Sequence, residues 1–220
     1  PLPLPSETPP GVLRVWDHPP FDPARHLALE WPARIWTLED FGYDAAARAR
    51  SPSPVAITSP FRILSDEGTA LFTQVLRDLR ADCVVSSGKR LSVFLAGGVY
   101  RSRFLRELVT APAILAHFSR IAGTELVHSL PIFQAYVNYS PEDPTKAVDN
   151  WHVDSLGFDA VIMMSDPAGL RGGHFEYFQG TRDEATRLVG AESEQALTEG
   201  WTQGLPEERI VKVDFPGAGY

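Results

Sequence analysis

The order of hydrophobic periods along the chain predicts an α+β protein, with helices first and then a run of antiparallel strands forming a sandwich or barrel. In stretches between Ser65 and Gly123, apolar residues recur at intervals of one, three and four, as on a helix with one buried stripe. After Gly123 the period falls to two: Ile132, Gln134, Tyr136 and Asn138 alternate with Phe133, Ala135, Val137 and Tyr139. Pro-Gly and Gly-Gly pairs then divide the remaining apolar segments into short strands.

Residues 1–57 read as an extended, proline-rich arm. Of the 19 prolines, 12 fall within residues 1–60, a density that excludes long helices and central strands. Trp16, Phe21, Trp31 and Trp36 are its expected anchors on the body, residues 58–220, and residues 1–10 fit a loose tail. Ser65 is placed to cap a helix striped by Leu71, Phe72, Val75, Leu76 and Leu79. Phe104, Leu105 and Leu108 stripe a second helix. Pro112 suits the first turn of a third, striped by Ile114, Leu115, Phe118 and Ile121 and ended by Gly123. These helices read as scaffold. Strands are expected at Ile132–Tyr139, Asp159–Met164, His174–Gln179 and Ile210–Phe215. The charged, Gly-punctuated stretch Thr181–Gly204 reads as a helical insertion of the kind that often covers a site, with Glu192–Glu199 as a solvated face.

Composition narrows the function. The 220 residues carry a net charge of −8, and an acidic surface repels phosphate backbones, so nucleic acid is not an expected partner. No apolar run reaches the roughly 18 residues a spanning helix needs, so no membrane partner is expected. The single cysteine, Cys83, excludes a disulfide framework or a zinc-finger spacing within the chain, and its apolar setting reads as packing rather than nucleophilic chemistry. The start is proline-rich rather than basic and then apolar, which makes a cytoplasmic location the expectation.

The chemistry-bearing segment is Asn150-Trp151-His152-Val153-Asp154-Ser155. On an extended backbone, side chains two apart share a face, so His152 and Asp154 become neighbours. An imidazole and a carboxylate converging in this way suit adjacent positions on a metal. With a second histidine they complete the 2-His-1-carboxylate face that serves non-haem Fe(II). A thiolate-free set argues against structural zinc. His-x-Asp is also what a surface ion pair looks like, so its setting matters. It follows an alternating strand and precedes Ala160–Met164, the turn at Asp166–Gly169, Gly172-Gly173-His174 and Gly180-Thr181.

This order, ending in Phe215-Pro216-Gly217-Ala218-Gly219, resembles the Fe(II)/2-oxoglutarate-dependent dioxygenases over residues 58–220, most closely the branch that includes phytanoyl-CoA dioxygenase-like enzymes. The resemblance implies a double-stranded β-helix, or jelly roll, flanked by N-terminal helices. It implies that His152 and Asp154 bind iron, that 2-oxoglutarate and O2 share that iron, and that 2-oxoglutarate is decarboxylated to succinate and CO2 while a small organic substrate is hydroxylated or desaturated. A carboxylate at 154 favours those outcomes over halogenation, because halogenating relatives carry a small residue there. The face bearing Gln134, Tyr136 and Asn138 is where related enzymes often bind 2-oxoglutarate, although these polar groups equally suit mutual hydrogen bonding inside a barrel.

The family's third ligand, a histidine, and an arginine that grips 2-oxoglutarate lie on late strands. His174 follows Asp154 too closely for the family pattern and is a weak substitute ligand, and His128, which precedes the strand bearing Tyr136, is a weaker one. The ending Phe215–Tyr220 resembles the lead-in to that histidine strand, so both groups are expected beyond Tyr220. His18, His26 and His117 read as surface or packing residues, Trp151 as either a pocket wall or packing, and Arg171 as an exposed turn residue. Two other classes compete: a non-catalytic jelly-roll binding module, and a cupin-type metalloenzyme that does not use 2-oxoglutarate.

Overall fold

The Ser65 hydroxyl accepts the Gly68 N–H at 3.0 Å and starts the longest helix of the protein, α3 (Asp66–Leu79). The structure, a computed structural model, describes residues 13–85, 93–130, 134–143, 146–154, 156–169 and 174–220. The tail at 1–10, the strand start at Ile132 and Phe133, and Arg171-Gly172-Gly173 lie outside the described residues. Phe72, Val75 and Leu79 of the expected α3 stripe are buried, and Leu71 and Leu76 flank them against the core. Two further helices meet the same core. In α5 (Arg103–Val109), Phe104, Leu105 and Leu108 are buried. The next, α6 (Pro112–Ala122), begins on Pro112 and ends on Gly123 at φ 66°, a left-handed cap that favours glycine. A short turn of helix, α4 (Gly98–Arg101), precedes α5.

The arm holds α1 (Pro23–His26), β1 (Ile35–Thr37), α2 (Ala45–Arg50) and β2 (Val55–Thr58), the two strands pairing antiparallel. Trp16 and Phe21 lie against the core, and the Phe21 ring meets Phe104 edge-on at 5.7 Å. The Trp16 indole N–H donates to Asp82 Oδ2 at 2.7 Å. Beside it, His18 Nδ1 lies 2.9 Å from Ser102 Oγ and its Nε2 lies 3.4 Å from Asp78. The order serine–histidine–aspartate suggests a nucleophile, but Ser102 is fully buried and its hydroxyl caps α5 by accepting the Leu105 N–H. This trio therefore fastens the arm to α3 and α5. His26 and His117 are also buried, His117 donating from Nε2 to the Glu30 carbonyl at 2.9 Å. All three histidines act in packing.

The α+β class predicted from the sequence holds. Antiparallel pairing builds one sheet from β3 (Val84–Val85), β4 (Val93–Leu95) and β5 (Val137–Tyr139), with β4 central, and another from β6 (Phe175–Phe178) and β7 (Ile210–Val213). Together with the β1–β2 pair these are small sheets, and among the described residues they do not close into a barrel. Two expected strands are shorter or absent. Ala135 sits at φ 51°, a conformation that interrupts a strand, so β5 begins only at Val137. Asp159–Met164 forms no ladder. Its ordering comes instead from the end of the chain, where the Met163 N–H donates to the Tyr220 carbonyl and the Gly219 N–H donates to the Met163 carbonyl, each at 2.7 Å. Ile162 and Met164 still lie against the core.

The tightest helix contact is at Gly68, where an added Cβ would stand 2.2 Å from the His26 carbonyl oxygen. Alanine for glycine within a helix normally gains about 0.5–1 kcal/mol. Here rigid backbone blocks the methyl group, so Gly68→Ala is expected to destabilise by about 1–3 kcal/mol. The check is a lower urea midpoint at unchanged slope. A midpoint at or above wild type would show that this contact is not close.

Candidate functional site

The predicted metal motif lies in an extended loop rather than in a sheet. The Trp201 N–H donates to the Trp151 carbonyl at 2.8 Å and the Val153 N–H donates to the Leu197 carbonyl at 3.0 Å. In extended backbone, residues 151 and 153 turn their polar groups to the same edge, which places the side chains of 152 and 154 together on one face. The partner edge comes from the expected helical insertion, which folds as α7 (Arg182–Val189) and α8 (Glu194–Glu199). Thr181 caps α7 by accepting the Glu184 N–H at 3.2 Å. In α8 the predicted solvated face has a buried counterpart, Leu197.

His152 and Asp154 converge. His152 Nδ1 is 2.7 Å from the Asn150 carbonyl oxygen, which only accepts, so Nδ1 carries the proton and donates it. Nε2 then faces Asp154 Oδ1 at 3.2 Å. Two ligands held at right angles by metal bonds of about 2.1 Å stand roughly 3 Å apart, so the pair fits adjacent positions on one ion. The His152 side chain is 19% exposed and that of Asp154 52%, so the imidazole is walled in while the carboxylate meets solvent. Among the described residues no group of three or more His, Cys, Asp or Glu side chains is placed to hold a metal. The pair therefore accounts for two protein ligands, with a third still required.

The expected 2-oxoglutarate face is not continuous, because of the left-handed backbone at Ala135. The Gln134 amide donates to the Ser129 carbonyl at 2.6 Å. The Tyr136 ring stacks on Phe94 at 5.4 Å. Asn138 is tied to the motif through an amide contact to Asp149 Oδ2 at 3.5 Å. Asp149 was not singled out in the sequence, although an acid three residues before the histidine was the available signal. Its Oδ1 lies 3.6 Å from His152 Nδ1. His128 and His174 are exposed. Trp151 pairs by its backbone with Trp201, and Trp201 lines an open depression of about 540 Å³ with Gly200, Thr202 and Gln203. A second hollow of about 320 Å³ is formed by Thr37, Glu39, Arg48, Ser51 and Pro54 of the arm and includes none of the predicted site residues.

Comparisons with protein-family models, curated proteins and solved structures find no match to the chain. Among the described residues no helix is long and apolar enough to cross a membrane.

Cys83 stands apart from the motif, beside Tyr139, whose hydroxyl donates to the Leu76 carbonyl at 2.7 Å. Burial pushes the Cys83 thiol above its ordinary range, and the nearby Arg80 charge opposes this more weakly. Burial likewise pushes the Tyr139 phenol up. Because only the thiolate is nucleophilic, a raised pKa lowers reactivity at a given pH. Alkylation of Cys83 by iodoacetamide at about pH 8 is therefore expected to run several-fold slower than that of an exposed peptide cysteine, the gap narrowing as pH rises past the ordinary thiol value. Mass spectrometry of timed samples provides the check, and equal rates would refute the assignment.

Proposed function

We propose that this protein is an Fe(II)- and 2-oxoglutarate-dependent oxygenase that hydroxylates or desaturates a small organic substrate, with His152 and Asp154 among its iron ligands. One observation carries this reading: Nε2 of His152 and Oδ1 of Asp154 stand 3.2 Å apart while the other ring nitrogen donates to the Asn150 carbonyl. The spacing is that of adjacent positions on one ion, and a donating Nδ1 leaves Nε2 as the ring atom that would ligate a shared metal. The iron would supply the site at which 2-oxoglutarate and O2 meet; the protein would fix the ring and carboxylate beforehand. A second feature agrees. Leu156, Phe158 and Val161, just after the motif, are exposed apolar side chains, suited to contact with an apolar substrate.

Under this proposal the small antiparallel sheets are parts of a double-stranded β-helix. Such an iron site also needs a second imidazole and an arginine for 2-oxoglutarate, and among the described residues no third metal-ligating side chain joins His152 and Asp154. One observation favours the competing ion-pair reading within a non-catalytic module: the half-exposed Asp154 carboxylate.

The test is succinate formation by the full-length protein with Fe(II), ascorbate and 2-oxoglutarate, with and without candidate substrates. Turnover, even uncoupled, is expected in the wild type. His152→Ala and Asp154→Ala are each expected to fall to background with unchanged circular dichroism, a loss larger than the roughly 10- to 100-fold typical of an outer partner. Asp154→Gly is expected to lose iron affinity. Full activity in either alanine variant would reject the site, and metal-dependent turnover without 2-oxoglutarate would favour the cupin-type reading.

A further inference from the structure

We infer that Asp149 is a positioning residue for the metal site: it holds the His152 imidazole in the orientation and tautomer that aim Nε2 at Asp154. This role presupposes the iron site proposed above. The ring of His152 has a carboxylate on each side, Asp149 Oδ1 at 3.6 Å from Nδ1 and Asp154 Oδ1 at 3.2 Å from Nε2. The two ring nitrogens point in divergent directions, so the two carboxylates do not share one ion through this imidazole. Asp154 stands on the metal-facing side and Asp149 behind the ring. Their exposure differs in the same sense. The Asp149 side chain is 17% exposed, close to the imidazole it faces, whereas Asp154 is 52% exposed. Asp149 is therefore placed as a support and Asp154 as a ligand.

The Nδ1 proton already has a near partner, the Asn150 carbonyl at 2.7 Å. A carbonyl dipole alone fixes the proton, but adding a carboxylate on the same side makes the imidazole more basic and resists rotation of the ring. Asp149 is itself braced from β5, whose Asn138 amide reaches its other oxygen at 3.5 Å. Asn138, expected to meet 2-oxoglutarate, belongs to a chain of contacts running Asn138, Asp149, His152. A ligand histidine backed by a carboxylate binds metal more tightly than one without, typically by 10- to 100-fold.

The test uses the full chain and two readouts besides turnover. Mn(II) affinity is measured by calorimetry for wild type, Asp149→Ala, Asp149→Asn and His152→Ala. The tautomer of His152 is read without metal, from ring ¹⁵N shifts at about pH 8.5, well above the ordinary imidazole value. Asp149→Ala is expected to weaken Mn(II) binding roughly tenfold or more and to introduce the Nε2–H tautomer. Asp149→Asn keeps an acceptor oxygen and is expected to recover most of the tautomer preference. Wild-type Mn(II) affinity together with an unchanged tautomer in Asp149→Ala would overturn the assignment. Wild-type affinity in His152→Ala would instead reject the metal site, and the ¹⁵N readout would still judge Asp149 separately.

Discussion

Among the described residues the backbone of 151–153 joins no multi-residue ladder, and two hydrogen bonds from outside the motif, to Leu197 and Trp201, hold it extended. Extended backbone is what puts His152 and Asp154 on one face. Without partners along its edge, such a segment would sample other conformations, and the entropy of ordering it would fall on the site. The insertion between β6 and β7 therefore acts first as scaffold. Burial of Leu197 secures α8, and α8 in turn presents the carbonyl that Val153 meets. Arg209 closes the base of this unit. Its guanidinium pairs with Glu184 of α7 and donates to the Gln179 carbonyl, joining the insertion to both strands of the β6–β7 pair.

The helical half is organised differently. Phe104 is fully buried and meets the Phe21, His26 and Phe72 rings within 6 Å, so the arm, α3 and α5 share a single aromatic contact. Rings at such separations add to the area term through edge and offset contacts. The arm thus contributes core side chains despite a sequence that supports little regular structure. Its prolines limit the unfolded ensemble as well as the fold, which reduces the entropy lost when the arm docks.

What was legible in the sequence is what short-range chemistry decides. The cap at Ser65, Pro112 at a helix start and Gly123 at its end each depend on residues within one turn, and each is found where the pattern put it. Strands β6 and β7 were each legible too, because the breaks that flank them are local, whereas their pairing with each other is seen only in the fold. The failures have distant causes. Asp159–Met164 has the composition of a strand, yet its backbone partners are Gly219 and Tyr220, which no local pattern announces. Ala135 adopts a left-handed conformation inside an alternating run, and alanine gives no warning of it. In the candidate site, the spacing of His152 and Asp154 gave their convergence. The ring's orientation was not legible, because it depends on Asn150 offering its carbonyl and Asp149 its carboxylate, and neither was marked by the spacing of the motif.

The loop that follows the motif is fixed at both ends. Val153 is held by Leu197, and Met163 is held by the chain end, where the Gly219 carbonyl also accepts from the Ile63 and Leu64 N–H groups. Gly219 adopts φ 87°, and a Cβ there would stand 2.4 Å from Thr69 Oγ1, so the junction of chain end, α3 and post-motif segment admits only glycine. Between these anchors Leu156, Phe158 and Val161 project to solvent. Fixed ends with a short exposed apolar span confine motion to the span itself, since opening either end would break backbone hydrogen bonds. The His152–Asp154 pair is thereby kept apart from that motion: both residues belong to the anchored end, and the apolar side chains belong to the span between the anchors.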